Sequence, residues 1–284
     1  MKQTKPLVSA CIISYNQQEY IAAAIEGALS QELDVPYEIV ISDDCSTDDT
    51  PRIIEEFAHK DFRIRVVKHS KNVGMHQNWL DAINSCNGEF VALCEGDDFW
   101  LDKNKLAKQL QILRSDEELS GCFTNANILN ADNKIEESSY VNLKNAGLTA
   151  KELFSLHYNP IPTCTLMFRK SLFNGFPSNY YQSPFADRIL HTLLILQGNY
   201  FYISQSTATY RKHENGVWSG IQKEKQHINM LRSLEVILQV VTSPEHKLAV
   251  RKSILRQLDL MLYHYQSEKQ SLKYFRVWLK MKLV

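Results

Sequence analysis

Three polar clusters, each placed at the end of a short apolar run, hold the residues of this 284-residue chain best suited to chemistry. Ser14-Tyr15-Asn16 closes LVSACIIS, Asp43 and Asp44 follow YEIVIS within ISDDCSTDDT, and Asp97 and Asp98 follow EFVALC within EGDD. Apolar runs of this length between turn-forming residues read as buried strands. Carboxylates leaving successive strands on one edge of a parallel sheet converge on the crevice where such sheets bind ligands. Uncompensated, they repel one another, so the crevice has to hold hydrogen-bond donors or a cation. Beside phosphate oxygens, Asp97 and Asp98 suit Mg²⁺ or Mn²⁺, hard cations that prefer oxygen ligands. Any one cluster alone is ordinary loop and helix-cap chemistry. Three in succession argue for a site.

The elements that must position these clusters alternate. Strands are expected at 7–14, 37–42, 63–68 and 89–94, with helices at 19–29, from Thr50-Pro51, at 78–86 and at 102–114. Thr50-Pro51 pairs a cap residue with a proline at the first helical position, and Gly88 suits a helix C-terminus. This alternation predicts a parallel sheet with helices on both faces. Further strands are expected at 122–129, 163–169, 200–203 and 206–211. A capping box joins Thr149 to Glu152, and Ser183-Pro184 opens a helix towards Gly198. From residue 221 the pattern is helical, with a break at Ser243-Pro244, so the domain boundary is placed at 220.

Composition narrows the function classes. Lys and Arg together number 32, as do Asp and Glu, which leaves no net charge to attract nucleic acid. The six cysteines form no CxxC pair, and several sit in apolar runs, which predicts a reducing, cytoplasmic setting. No run approaches the roughly 18 apolar residues of a membrane span. SYNQQEY after the first strand lacks GxGxxG, and no GxxxxGK[ST] occurs, which argues against NAD-dependent dehydrogenases and P-loop enzymes.

Four blocks carry a family resemblance: SACIISYNQQEYIAAAIEGALSQ, YEIVISDDCSTDDT, KNVGMHQNW and GEFVALCEGDDFWLDKNKLAKQ. Together they resemble the inverting family-two glycosyltransferases of the GT-A fold, strongly over 7–110 and traceably to about 215. The resemblance implies an α/β, Rossmann-like nucleotide-sugar-binding sheet in a catalytic domain, 1–220, with a helical C-terminal region, 221–284. It implies transfer of a sugar from a nucleotide-sugar donor, a UDP-sugar, to a glycan or lipid-linked acceptor hydroxyl, with Mn²⁺ or Mg²⁺ as cofactor. Surface polysaccharide synthesis is the expected context.

Position by position, the resemblance places Tyr15 against the nucleotide base, Asp43 and Asp44 on base and ribose, and Asn78 in the wall of that pocket. Asp97 matches the first carboxylate of the DXD-type motif, contacting ribose or metal, and Asp98 the last, binding metal. The motif here is Glu-Gly-Asp-Asp, which leaves a part for Glu95 open. Asp187, in SPFADRILHTL, matches the catalytic base, although Ala186 stands where the family usually has Glu. The other reading is that Asp187 simply complements the helix dipole in a first turn. In TYRKHENGVWSG, Arg211 would meet a phosphate and His213 the metal or the diphosphate.

The alternatives are a nucleotidyltransferase, which is expected to carry a glycine-rich phosphate loop, and a non-catalytic scaffold, which has no use for Asp98, Asp187 and Arg211 together. Finally, residues 269–284 carry Lys269, Lys273, Arg276, Lys280 and Lys282 beside Leu272, Phe275, Trp278 and Leu279 at helical spacing. This basic amphipathic helix suits either peripheral membrane contact or packing, onto the chain itself or onto a second copy.

Overall fold

The computed structural model describes residues 5–137, 146–214, 216 and 218–281. The first strands and helices alternate as expected: β1 (Val8–Ser14), α1 (Ile21–Leu29), β2 (Tyr37–Asp43), α2 (Thr50–Lys60), β3 (Ile64–Lys68), α3 (Met75–Ser85) and β4 (Phe90–Glu95). There follow β5 (Phe99–Trp100), α4 (Lys105–Ser115), β6 (Leu119–Leu129), β7 (Ile135–Glu137), β8 (Ala146–Leu148), α5 (Ala150–Ser155) and β9 (Met167–Arg169). The remainder is α6 (Ala186–Ile195), β10 (Asn199–Arg211), α7 (Lys223–Val240), α8 (Pro244–Ser267) and α9 (Ser271–Met281).

Among the described residues, all ten strands join one sheet, whose main path runs β3-β2-β1-β4-β9-β6-β10-β5. The first four pair in parallel, and their registers run without a shift. Ser14 therefore lies beside Asp43, and Ile13 beside Glu95, so the three polar clusters leave the sheet at one edge. Every residue of β1 is buried, the continuous apolar run of a strand covered on both faces. Val8, Ala10 and Ile12 pack with Ile21, Ala24 and Ile25 of α1, Ile54 of α2 and Leu106 of α4. The opposite face meets α3, where the Cys11 thiol interacts with that of Cys86. All six cysteines are free.

The sheet departs from the expected all-parallel pattern. Residues 163–169 do not form one strand: a 3-10 turn occupies Thr163–Thr165, and β9 runs antiparallel to both β4 and β6. The two strands expected at 200–203 and 206–211 are one, β10, whose register against β6 shifts between Ile203 and Ser206. Apolar patterning is interrupted there because a register irregularity turns the side-chain alternation over. β5, which the sequence hides, pairs antiparallel with β10 and delays α4 to Lys105. α3 begins three residues early, at Met75, because Gly74 with φ 86° supplies the turn that starts it.

Contacts divide the chain into two compact units, each drawn from more than one stretch of sequence. The first comprises the described residues up to Leu148 with Ile161–Gly175 and Leu194–Lys212. The second comprises Thr149–Pro160, Phe176–Leu193 and the described residues from His213. Local sequence signals missed this because the two inserted segments owe their placement to distant partners. Ser253 of α8 donates to the Phe154 carbonyl at the end of α5 (2.6 Å), and Ser183, ahead of α6, meets Ser233 of α7 (3.0 Å). The capping box of Thr149 and Glu152 starts α5 as expected. α9 docks through Lys273, which pairs with Glu224 of α7 at 2.8 Å, and Val277, which is buried, while Leu272 is exposed. The side chains of Phe275, Trp278 and Leu279, on which the amphipathic reading of this helix rests, lie outside the described residues, as do residues 282–284. Among the described residues, no helix is long and apolar enough to cross a membrane.

Candidate active site

In the first unit, the loops after β1 and β2 are laced together by side chains. Asn16, at φ 51°, accepts from the Thr47 amide (2.8 Å) and donates its own amide to Ser46 Oγ (2.8 Å). Asp43 accepts from Ser14 Oγ (3.0 Å) and from both the hydroxyl (2.6 Å) and the amide (3.0 Å) of Ser46. Asp44 accepts from the amides of Val73 (2.7 Å) and Gly74 (3.0 Å), which fixes the turn ahead of α3. Asn78 accepts from Ser42 Oγ (2.6 Å) and donates to the carbonyls of Ser42 (3.2 Å) and Ser14 (3.4 Å). Asp43, Asp44 and Asn78 are all buried, so their polar atoms hold the loops in place. Tyr15, in contrast, keeps 47% of its surface exposed.

The turn between β4 and β5 is built on Gly96. Its amide donates to the Ile13 carbonyl (2.9 Å), and a Cβ there would stand 2.3 Å from Gln17 Oε1 and 3.0 Å from Ser14 Cβ. A side chain there would have to displace the Gln17 amide and crowd Ser14, and glycine lets the turn lie close against the first loop. Asp98 is 1% exposed. Its Oδ1 accepts from the Arg211 amide (2.9 Å), and Arg211 Nε donates to the Asp97 carbonyl (2.9 Å). Asp98 Oδ2 is buried and accepts from no N–H or O–H among the described residues; a weak donor, the Cys164 thiol, is the group set against this carboxyl. Burial, and then the charge of Asp97, push the Asp98 carboxyl well above the ordinary aspartate range.

An orphaned, buried carboxylate oxygen is costly unless something pairs with it. A hard divalent cation fits it. Among the described residues no group of three or more His, Cys, Asp or Glu side chains could enclose a metal. A cation here would therefore take Asp98 and complete its shell with oxygens of a ligand and water, the usual habit of Mg²⁺ bound beside phosphates.

Lys105, which no sequence signal marks, is fully buried. Its ammonium donates to Gln109 Oε1 (2.6 Å) and lies 4.5 Å from the centre of the Trp100 ring. Burial pushes its pKa down to about 8. The Cys94 thiol feels both Asp98 and Lys105, so a buried cation stands behind the acidic turn. A lysine in a helical pattern with a glutamine four residues on reads as a solvated face, and only the tertiary packing reveals otherwise.

In the second unit, Asp187 opens α6. Its Oδ2 accepts from Asn159 Nδ2 (2.6 Å) and its Oδ1 from the Arg188 amide (2.7 Å). Burial raises its pKa above the ordinary aspartate value, against the pull of Arg188 and Asn159. Helix position alone would lower the pKa, so a raised one means that desolvation wins. A carboxylate pKa raised by desolvation is one of the features a proton-transfer group shares with structurally buried acids. Asn159 steadies Asp187, a pairing that no spacing in the sequence predicts, since a loop Asn meets this partner only through the fold. His213 belongs to the second unit, where its carbonyl accepts from Ser219 Oγ (2.8 Å).

Known proteins resemble the chain in the same terms. Residues 9–175 match the family model described as glycosyl transferase family 2. An uncharacterized protein of Mycobacterium tuberculosis is 31% identical over 252 residues, which are 86% of this chain and 71% of that protein. The putative teichuronic acid biosynthesis glycosyltransferase TuaG of Bacillus subtilis is 38% identical over 113 residues, 40% of this chain and 44% of the relative. Among solved structures, S. aureus TarS 1–349 in complex with UDP-GlcNAc superposes with a TM-score of 0.71 at 18% identity, covering 95% of this chain and 79% of that one. The mannosyltransferase PcManGT of Pyrobaculum calidifontis, in complex with GDP-Man and Mn²⁺, gives 0.60 at 14% identity, covering 99% and 85%.

Proposed function

Since the chain belongs to glycosyl transferase family 2, we propose that it transfers a hexosyl or N-acetylhexosaminyl group from a UDP-sugar to an acceptor hydroxyl, with inversion. The observation that carries this reading is the orphaned Asp98 Oδ2 beside Arg211, at the strand edge where such sheets bind ligands. The UDP-GlcNAc bound by TarS and the teichuronic acid context of TuaG favour a UDP-sugar and a surface glycan.

In this reading Tyr15 stacks on the base, while Asp43, Asp44 and Asn78 hold the shape of the nucleoside pocket. Asp97 faces the ribose, and Asp98 holds Mg²⁺ or Mn²⁺. When bound, the metal supplies Lewis-acid neutralisation of the departing diphosphate. Arg211 adds a permanent positive charge to the same leaving group. His213, just beyond it, donates to the diphosphate or joins the metal. Asp187 takes the proton from the acceptor hydroxyl as that oxygen attacks the anomeric carbon. Residues 1–220 then carry the donor and base machinery, and 221–284 support it.

Purified protein should release nucleoside diphosphate from at least one member of a panel of nucleotide sugars when acceptor glycan and Mn²⁺ are supplied. Release of pyrophosphate instead would identify a nucleotidyltransferase. Binding of nucleotide sugar without any turnover would identify a scaffold.

We place the enzyme in the cytoplasm, at the inner face of the membrane when its acceptor is lipid-linked. The docked Lys273 and buried Val277 favour α9 as part of the fold, and the basic residues around it favour reversible contact with anionic lipid. Full-length protein should co-sediment with anionic vesicles more than with neutral ones. Binding that survives removal of residues 269–284 unchanged rules out the anchor, and loss of folding on removal assigns the helix to the core.

A further inference from the structure

Arg211 is more tightly held than a phosphate-binding side chain on a strand end needs to be. Its guanidinium carbon lies 4.7 Å from the centre of the Tyr20 ring and 5.4 Å from that of Phe99. Tyr20 immediately precedes α1, and Phe99 begins β5, so the two rings come from separate parts of the first unit. The main-chain amide of Arg211 is bound to Asp98 and its Nε to the Asp97 carbonyl. Neither terminal nitrogen makes a hydrogen bond among the described residues, and neither is a buried orphan. The outer fork of the guanidinium is thus open, while everything behind it is fixed.

An arginine on an exposed strand end loses rotamer entropy when it binds an anion. Rings on the guanidinium remove that cost in advance and strengthen the charge they stack on. We propose that Tyr20 and Phe99 are positioning residues that hold the Arg211 fork ready for the diphosphate of the donor, giving the site a metal-independent share of diphosphate affinity. The proposal rests on the transferase reading and adds to it: two counter-charges serve one diphosphate, and the protein's own is set by the two rings. Lys at 211 could supply the charge but neither the plane that stacks nor the fork.

The test compares UDP with uridine by titration calorimetry in EDTA, so that only the diphosphate contribution separates them; GDP and guanosine serve as a second pair. Native protein should bind the diphosphate at least about tenfold more tightly than the nucleoside. Arg211→Gln should close that gap. Tyr20→Leu and Phe99→Leu should each narrow it about threefold, and together about tenfold, with nucleoside binding unchanged. Tyr20→Phe, which keeps the ring, should leave it intact. On the Arg211→Gln background the ring substitutions should have no further effect, because they act through Arg211. Equal losses for UDP and uridine, additive effects on that background, or no gap in native protein would overturn the proposal. Should the leucine variants not fold, Arg211→Lys decides: it should lose the gap to within threefold of Arg211→Gln, and full retention refutes the fork. If native protein shows no gap in EDTA yet releases nucleoside diphosphate with Mn²⁺, the ring assignment fails and the transferase reading stands.

Discussion

Asp98→Asn should abolish sugar transfer, by about 10³-fold or more, while leaving the protein folded. The size follows from the several kcal/mol by which a bound cation stabilises developing charge on a leaving group. Folding should survive because the amide oxygen can still accept from the Arg211 amide, as Oδ1 does now. The metal-free variant should melt no lower than metal-free native protein. Burial and Asp97 raise the Asp98 pKa, so the ionised carboxylate is held at a cost that a neutral amide does not bear. Native protein should also gain thermal stability on adding Mn²⁺ with UDP, through binding to the folded state alone, and the variant should lose that gain. EDTA should silence native protein, and Mn²⁺ or Mg²⁺ should restore it. Full activity of the variant or in excess chelator removes the cation from Asp98.

Asp187→Asn should lower turnover by about 10² to 10⁴, the usual loss when a general base is removed, with UDP affinity unchanged. Both carboxylate oxygens accept hydrogen bonds, from Asn159 and from the Arg188 amide, so the new amide has to turn its NH₂ towards one of these donors. An Asn159→Ala variant separates loss of the base from that local clash. It removes one of the influences that lower the Asp187 pKa, so the carboxylate should protonate at higher pH than in native protein. The sign is fixed: the ionised form is the base, and activity is lost as pH falls through its pKa. The acidic limb of the kcat profile should therefore move to higher pH in Asn159→Ala and should vanish from the residual activity of Asp187→Asn. Near-normal turnover in Asp187→Asn would pass the role to another carboxylate.

Much of the first unit was legible because its signals are local. The runs that became β1, β2 and β4 are largely apolar, and each ends in the polar cluster that forms the strand edge. Those clusters were visible; the present use of their atoms was not. Asp43, Asp44 and Asn78 spend their polar atoms on Ser46, on the Val73–Gly74 turn and on Ser42, partners that become neighbours only through sheet registers and loop closure. Lys105, Tyr20 and Phe99 gave no signal for the same reason, since each acquires its partner from another element. The division into units was hidden most completely. Residues 149–160 and 176–193 are separated from α7 and α8 in sequence, and contacts such as that of Ser253 with the Phe154 carbonyl join them. The antiparallel course of β9 was equally unreadable, because a three-residue strand carries no direction.

The pairing of β5 with the far end of β10 sets when the acidic turn can become a site. Asp97 and Asp98 lie in the first hundred residues, but the amide that engages Asp98 and the strand that pairs with β5 belong to residues 208–211. Chains leave the ribosome N-terminus first and tend to fold as they emerge. A nascent chain that has exposed the whole matched stretch, 9–175, therefore carries the motif without the residues that complete it. On the proposed donor chemistry, competence arrives only once residues 208–211 have emerged and paired, so a chain stalled or cleaved before Arg211 should fail to turn over nucleotide sugars in the surrounding pool.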